Sequence, residues 1–283
     1  MTRRAVVVGT RWLAERANPR AFSHAGLHYC KGLYHWSCND VHEAVKHFNF
    51  ARRDGEWGRD ALANMIQIYR NPNNEDMWDQ ANGDEVSDGH HEALKIAESL
   101  LEELRSMLGE EPYPMSFRVL EVYAKLAKVQ ASRSSDKKEQ YDAAEAAFIK
   151  MLEEDREYVP AMLGLATVFR LEGNQNKARN VLKKIAKMAY VQDMADEFEK
   201  CYLHLAKLYI DRNKYDLAID LCDRALKFNQ SCGKAYEIKG EVWEKEMSYK
   251  DAAKAYEQAW KCAHELSAPI GYKLAFNCKF ATF

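Results

Sequence analysis

Residues 236–259 read YEIKGEVWEKEMSYKDAAKAYEQA, and residues 202–225, one step of 34 earlier, read YLHLAKLYIDRNKYDLAIDLCDRA. Laid over each other, Tyr236, Gly240, Trp243, Ala252, Tyr256 and Ala259 stand on Tyr202, Ala206, Tyr209, Ala218, Cys222 and Ala225. Counted within a unit of 34, these are slots 4, 8, 11, 20, 24 and 27. Each trio has the three-to-four spacing of one helical face. Small residues at 8 and 20 allow two helices to approach closely, and large ones beside them fill the gaps. The spacing predicts two antiparallel helices per unit and an all-α chain.

The period and its small-residue slots are those of the tetratricopeptide repeat (TPR), whose units stack into a right-handed superhelix, an α-solenoid. An earlier unit carries Met162, Ala166, Phe169, Ala178, Leu182 and Ile185, with Pro160 opening its first helix and Gly173-Asn174 turning between its two. Before it, a longer first helix over about 115–131 precedes Ala144, Phe148 and Met151. At the start, His28, Gly32, His35, Ala44, Phe48 and Ala51 keep the strict spacing. Leu62, Ile66 and Tyr69, then Ala93, Ala97 and Leu100, form the second unit around an acidic loop insertion at 70–88 that contains Trp78. The expectation is one TPR array over 1–283, with about six repeats and a half. Residues 1–17 form a capping helix or the remnant of a repeat, and 269–283 an incomplete C-terminal repeat.

Composition agrees. Of 283 residues, 47% are apolar and 30% charged, enough for a sizeable core. A net charge of −2 argues against a surface built for nucleic acid. Seven cysteines, an odd number at irregular spacing with no CxxC, read as reduced and mostly buried thiols. The apolar run 5–8 is too short for a signal-peptide core or a membrane span, so no direct membrane insertion is expected.

No catalytic, cofactor or metal set emerges. His42-Glu43 and His91-Glu92 each open an HExxH-like stretch, but Lys46 and Lys95 stand where the second histidine is needed. His24, His28, Cys30, His35, Cys38, His42 and His47 crowd together without a standard ligand spacing. An EF-hand register on Gly83 places Trp78 and Gly89 where acids are required. There is no phosphate-binding glycine loop and no GxSxG elbow.

Function is therefore sought on the wall lined by first-helix slots 2, 5, 9 and 12. In the first repeat these are Gly26, Tyr29, Leu33 and Trp36; in the fifth Lys200, Leu203, Lys207 and Ile210; in the sixth Lys234, Glu237, Glu241 and Glu244. No repeat pairs Lys at 5 with Asn at 9, the clamp that chaperone-binding arrays close on a C-terminal carboxylate. The terminal half repeat presents Ile270, Leu274, Phe276, Phe280 and Phe283 with no second helix to cover them, an adhesive end. The candidate partner surface is thus Tyr29, Leu33, Trp36, Trp78, Leu203, Lys207, Ile270, Leu274, Phe280 and Phe283.

Residues 29–34 (YCKGLY), 40–49 (DVHEAVKHFN), 51–58 (ARRDGEWG), 64–68 (NMIQI) and Asn71-Pro72 go beyond a generic repeat. Together with 271–277 (GYKLAFN), they resemble the C-terminal part of the large tetratricopeptide-repeat subunit of intraflagellar transport complex A, the tetratricopeptide repeat protein 21 family. The resemblance runs collinearly over roughly 20–277. It implies a non-enzymatic scaffold in retrograde ciliary transport and ciliary protein entry. Its partners would be the other complex A subunits and, indirectly, dynein-2 and ciliary membrane cargo. Its place would be the cytoplasm and the cilium, at axoneme and basal body. The residues alone leave a second reading open, a generic TPR adaptor that binds a linear peptide in its concave groove.

Overall fold

The computed structural model describes residues 24–38, 40–71, 88–132, 137–262 and 268–281. The expected capping segment 1–17, nearly all of the 70–88 insertion with Trp78, and Phe283 lie outside the described residues. The described elements are thirteen α-helices and one short 3-10 turn, without a strand. The chain divides into two compact units, with the boundary in sequence between Gly173 and Asn174.

The first unit holds α1 (Ala25–Ser37), α2 (Val41–Ala51), α3 (Gly58–Arg70), α4 (Asp88–Leu108), α5 (Met115–Ala131), α6 (Lys138–Glu154) and α7 (Val159–Leu171). The second holds α8 (Gln175–Lys187), the 3-10 turn Gln192–Met194, α9 (Ala195–Ile210), α10 (Tyr215–Phe228), α11 (Gly233–Lys245), α12 (Tyr249–Cys262) and α13 (Ala268–Ala281). Thirteen is the number of helices that six repeats and a half require.

The second-helix slots 20, 24 and 27 are the spine of both units. In the first unit these are Ala44, Phe48, Ala51, then Ala93, Ala97, Leu100, then Ala144, Phe148, Met151. In the second they are Ala178, Leu182, Ile185, then Ala218, Cys222, Ala225, then Ala252, Tyr256, Ala259. All of them are between 0 and 8% exposed. Close approach needs a missing Cβ where the filling ring is largest. A Cβ on Gly32 would meet the Phe48 ring at 2.6 Å, and one on Gly240 the Tyr256 ring at 2.7 Å.

Helix ends follow local chemistry. Asp40 caps α2 by accepting from the Glu43 amide, and Asn174 caps α8 by accepting from the Lys177 amide. Pro160 sits in the first turn of α7, where its missing N–H costs nothing. The turns between paired helices share one further rule. Gly173 (φ 78°), Asn213 (φ 56°) and Met247 (φ 60°) all occupy slot 15 and all adopt the left-handed conformation. Glycine takes it freely and asparagine readily, whereas for methionine it costs about 1 kcal/mol or more. Met247 is also 75% exposed, so its side chain offsets little of that strain by packing. Met247→Gly should therefore stabilise the second unit by about 0.5–1 kcal/mol, read as a raised urea midpoint with an unchanged slope. A lowered midpoint would show that the side chain makes a contact that outweighs the strain.

Candidate protein-interaction surface

The expected wall of the first repeat is largely interior. Tyr29 is 9% exposed, its ring 5.8 Å from that of Phe48 and 5.3 Å from that of Trp57. Its hydroxyl accepts from the Asn64 amide nitrogen at 3.3 Å. Gly26 lies under the Trp57 indole, and Leu33 and Trp36 pack half-buried on the same core. The reason is twofold: Trp57, just before α3, covers Gly26 and Tyr29, and Phe48 of α2 packs against Tyr29 and Trp36. Tyr29 is accordingly a core residue and not open surface.

The same correction applies to Leu203. It is 6% exposed on α9, a helix buried on most sides, and Ile210 is 4% exposed. Lys207 is half-buried. In the sixth repeat the carboxylate of Glu237 pairs with Lys234 at 3.1 Å and Lys273 at 3.0 Å, and Glu244 accepts from the Tyr256 hydroxyl at 2.8 Å. Those acids hold helices together.

On α13 the exposed side differs from the expected one. Ile270 and Leu274 are half-buried. Gly271 abuts the Trp260 ring, Lys273 reaches Glu237, and Asn277 is fully buried, which turns that side inward. The open stripe is Tyr272, Phe276 and Phe280 at i, i+4 and i+8, with Phe276 and Phe280 rings 4.7 Å apart. Phe276 and Phe280 are thus exposed as expected, and the further member of the stripe, which the repeat slots do not mark, is Tyr272.

The histidine cluster is real in space but is not a ligand set. His28 and His47 face each other with their Nδ1 atoms 2.9 Å apart, and the His35 ring lies 5.4 Å from that of His47. His35 Nδ1 lies 3.2 Å from the Asp40 carboxylate. Among the described residues, the one group of three whose ligand atoms converge is Asp142, Glu145 and Glu172, on the surface of the first unit. Partial burial, then the charges of His28, His35 and Lys31, push His47 down to about 4 from its ordinary value of 6.5. The fold therefore favours neutral His47, and the unfolded chain binds the proton first. The stability this contributes is complete above pH 6.5 and is lost as the pH falls towards 4. Acid melts of a His47→Gln variant should be flatter than those of the parent between those pH values. Identical curves would assign the acid sensitivity to carboxylates such as Asp54 and Glu154, which the fold holds below their ordinary values.

The thiols fit the sequence reading in part. All seven cysteines are free, with Cys30, Cys201, Cys222 and Cys232 buried and Cys278 exposed. Burial pushes Cys222 and Cys232 up to about 12, and Cys201 higher still. Such thiols are poor nucleophiles and act as small core residues. None of the described helices is long and apolar enough to cross a membrane.

Comparison with known proteins follows the same lines. The family model described as the tetratricopeptide repeat protein 21 C-terminal ARM domain matches residues 96–279, and that described as the TT21 fifth ARM repeats domain matches 7–70. Tetratricopeptide repeat protein 21B of Homo sapiens is 40% identical over 274 residues, covering 94% of this chain and 20% of its own. Tetratricopeptide repeat protein 21A of Mus musculus is 37% identical over 271 residues, with the same two coverages. The homolog of Caenorhabditis elegans is 31% identical over 269, covering 93% and 20%. The chain spans about a fifth of the length of these curated relatives. A thermophilic TPR protein of Thermus thermophilus superposes with a TM-score of 0.53 at 16% identity, covering 77% of this chain and 98% of its own. That likeness supports the α-solenoid fold class.

Proposed function

Because this chain belongs to the tetratricopeptide repeat protein 21 family, we propose that it is part of a non-enzymatic scaffold of intraflagellar transport complex A. In this reading it supports retrograde ciliary transport and ciliary protein entry by holding other subunits. It would act in the cytoplasm and the cilium, at axoneme and basal body, with dynein-2 and membrane cargo as indirect partners.

The observation that carries the reading is the spine. Eighteen second-helix slots are filled by small or apolar side chains and are buried throughout. A repeat array of this kind commits its sequence to stacking and leaves the outer helix faces for partners. The peptide-groove alternative loses support because Tyr29 and Leu203, which would line the groove, are core residues.

The test is tagged expression of the chain in ciliated cells, followed by co-purification and proximity labelling. Complex A subunits should be enriched over a scrambled-surface control. Enrichment of unrelated short peptides, with no complex A subunit, would replace the scaffold with the adaptor.

A further inference from the structure

We propose that the exposed face of α8 docks an acidic segment of another protein. The inference rests on the scaffold reading and names the chemistry of one partner. The sequence of α8, QNKARNVLKKIAK, holds Lys177, Arg179, Lys183, Lys184 and Lys187 and no acid. Several other helices carry acids among their cations and pair them internally. Lys46 pairs with Glu43, Arg105 with Glu102, Lys125 with Glu121, Lys254 with Asp251 and Lys261 with Glu257, each one turn away. On α8, Arg179, Lys183, Lys184 and Lys187 make no ion pair among the described residues. The nearest partner of Lys183 is a ring face, that of Tyr209, 5.8 Å from the ammonium.

Helix electrostatics accounts for part of this and leaves the rest over. Lys184 and Lys187 stand in the last turn, where the helix dipole favours cations. The Arg224 guanidinium already donates to the Ala186 carbonyl at that end, at 2.8 Å. Lys177 and Arg179, near the opposite end, oppose the dipole. Four clustered cations without counter-charge repel one another in the free chain, and that repulsion is relieved when carboxylates arrive.

The occupant follows from what the face lacks. The apolar side of α8, Ala178, Leu182, Ile185 and Ala186, is packed inside the second unit. A helix that binds lipid must bury its apolar side in the bilayer, and this one has none to offer. The ring beside the cations, Tyr209, is buried and offers no exposed face for a base to stack on, unlike a single-strand nucleic-acid face. Lys183 and Lys187 are one turn apart, about 5–6 Å along the axis, which matches carboxylates spaced one turn apart on an acidic helix. With a net chain charge of −2, attraction of an acidic segment has to come from this local face.

The experiment uses the 283-residue chain and a short fluorescein-labelled glutamate-rich peptide, read by polarisation at low salt. The parent should bind, and added salt should weaken it. A K183E/K184E/K187E variant should bind about ten-fold more weakly or worse, while K254E/K261E should match the parent. Should the charge reversal fail to fold by circular dichroism, the lysine-to-glutamine set replaces it and should show a smaller loss of the same sign. Absence of peptide binding by the parent, or equal loss in both variants, overturns the proposal. So does tighter binding to phosphatidylserine vesicles than to the peptide, which would make the face a membrane site. A parent that co-purifies with complex A subunits yet ignores the peptide sinks this inference alone and leaves the scaffold standing.

Discussion

Gly240→Leu should lower the stability of the second unit by roughly 1–3 kcal/mol or more, the usual cost of overpacking a filled core. A Cβ placed on Gly240 already meets the Tyr256 ring at 2.7 Å. The ring is fully buried, and its hydroxyl is tied to Glu244 at 2.8 Å, so it has nowhere to retreat. The smaller change Gly240→Ala is the sharper diagnostic. Helix propensity alone would favour alanine by about 1 kcal/mol, so a net loss identifies the contact. The repeats also suggest a rescue. Slots 8 and 24 hold Gly32 with Phe48 and Gly240 with Tyr256, but Ala206 with Cys222 and Ala166 with Leu182. Glycine goes with a ring and alanine with a smaller side chain. Adding Tyr256→Leu to Gly240→Ala should recover part of the loss. The control Lys250→Ala, on an exposed residue, should stay within about 0.5 kcal/mol. Equal melting temperatures for all these variants would mean that the helices do not cross at this slot.

How much of this could be read from sequence depends on the distance over which each feature is decided. The spine slots are set within one helix by the same four-then-three spacing, so pattern finds all eighteen even where insertions break the step of 34 between repeats. Slot 15 is also within reach, since Gly173 and Asn213 are the residue types that take a positive φ, but Met247 conceals the pattern. Exposure is less legible. Whether Tyr29 faces water is decided in part by Trp57, which lies in the connection to α3 and occupies none of the patterned slots, so the repeat spacing does not report that cover. The stripe on α13 is misplaced for a related reason: the inward turn of Ile270 and Leu274 depends on Trp260 and Glu237, in the preceding helices. Charge is plain in the sequence, yet the run of cations in α8 carries no meaning there by itself. Only the packed side of the helix and the unpaired ammonium groups distinguish a docking face from a solvated one.

Phe148→Ala should cost the first unit about 3–5 kcal/mol, the largest loss expected from a single truncation here. Phe148 fills slot 24 of the third repeat with no exposed surface, and its ring lies 5.8 Å from that of Tyr123 on α5. Its glycine partner is supplied by the following helix: Gly164 on α7 abuts the ring, where Gly32 and Gly240 belong to the same repeat as their aromatics. The ring therefore joins α5, α6 and α7, and its removal opens a cavity between two repeats. In an array, such damage spreads to nearest neighbours first. Hydrogen exchange should accelerate in α5 to α7 before it does in α1 and α2. The pairing can be isolated by a double-mutant cycle. Gly164→Ala should destabilise the parent, because the new methyl meets the ring, and should be neutral or stabilising beside Phe148→Ala, where the cavity receives it. If Gly164→Ala costs the same in both backgrounds, the two residues are not in contact, and the stacking of the third repeat on the fourth has to be carried by other side chains.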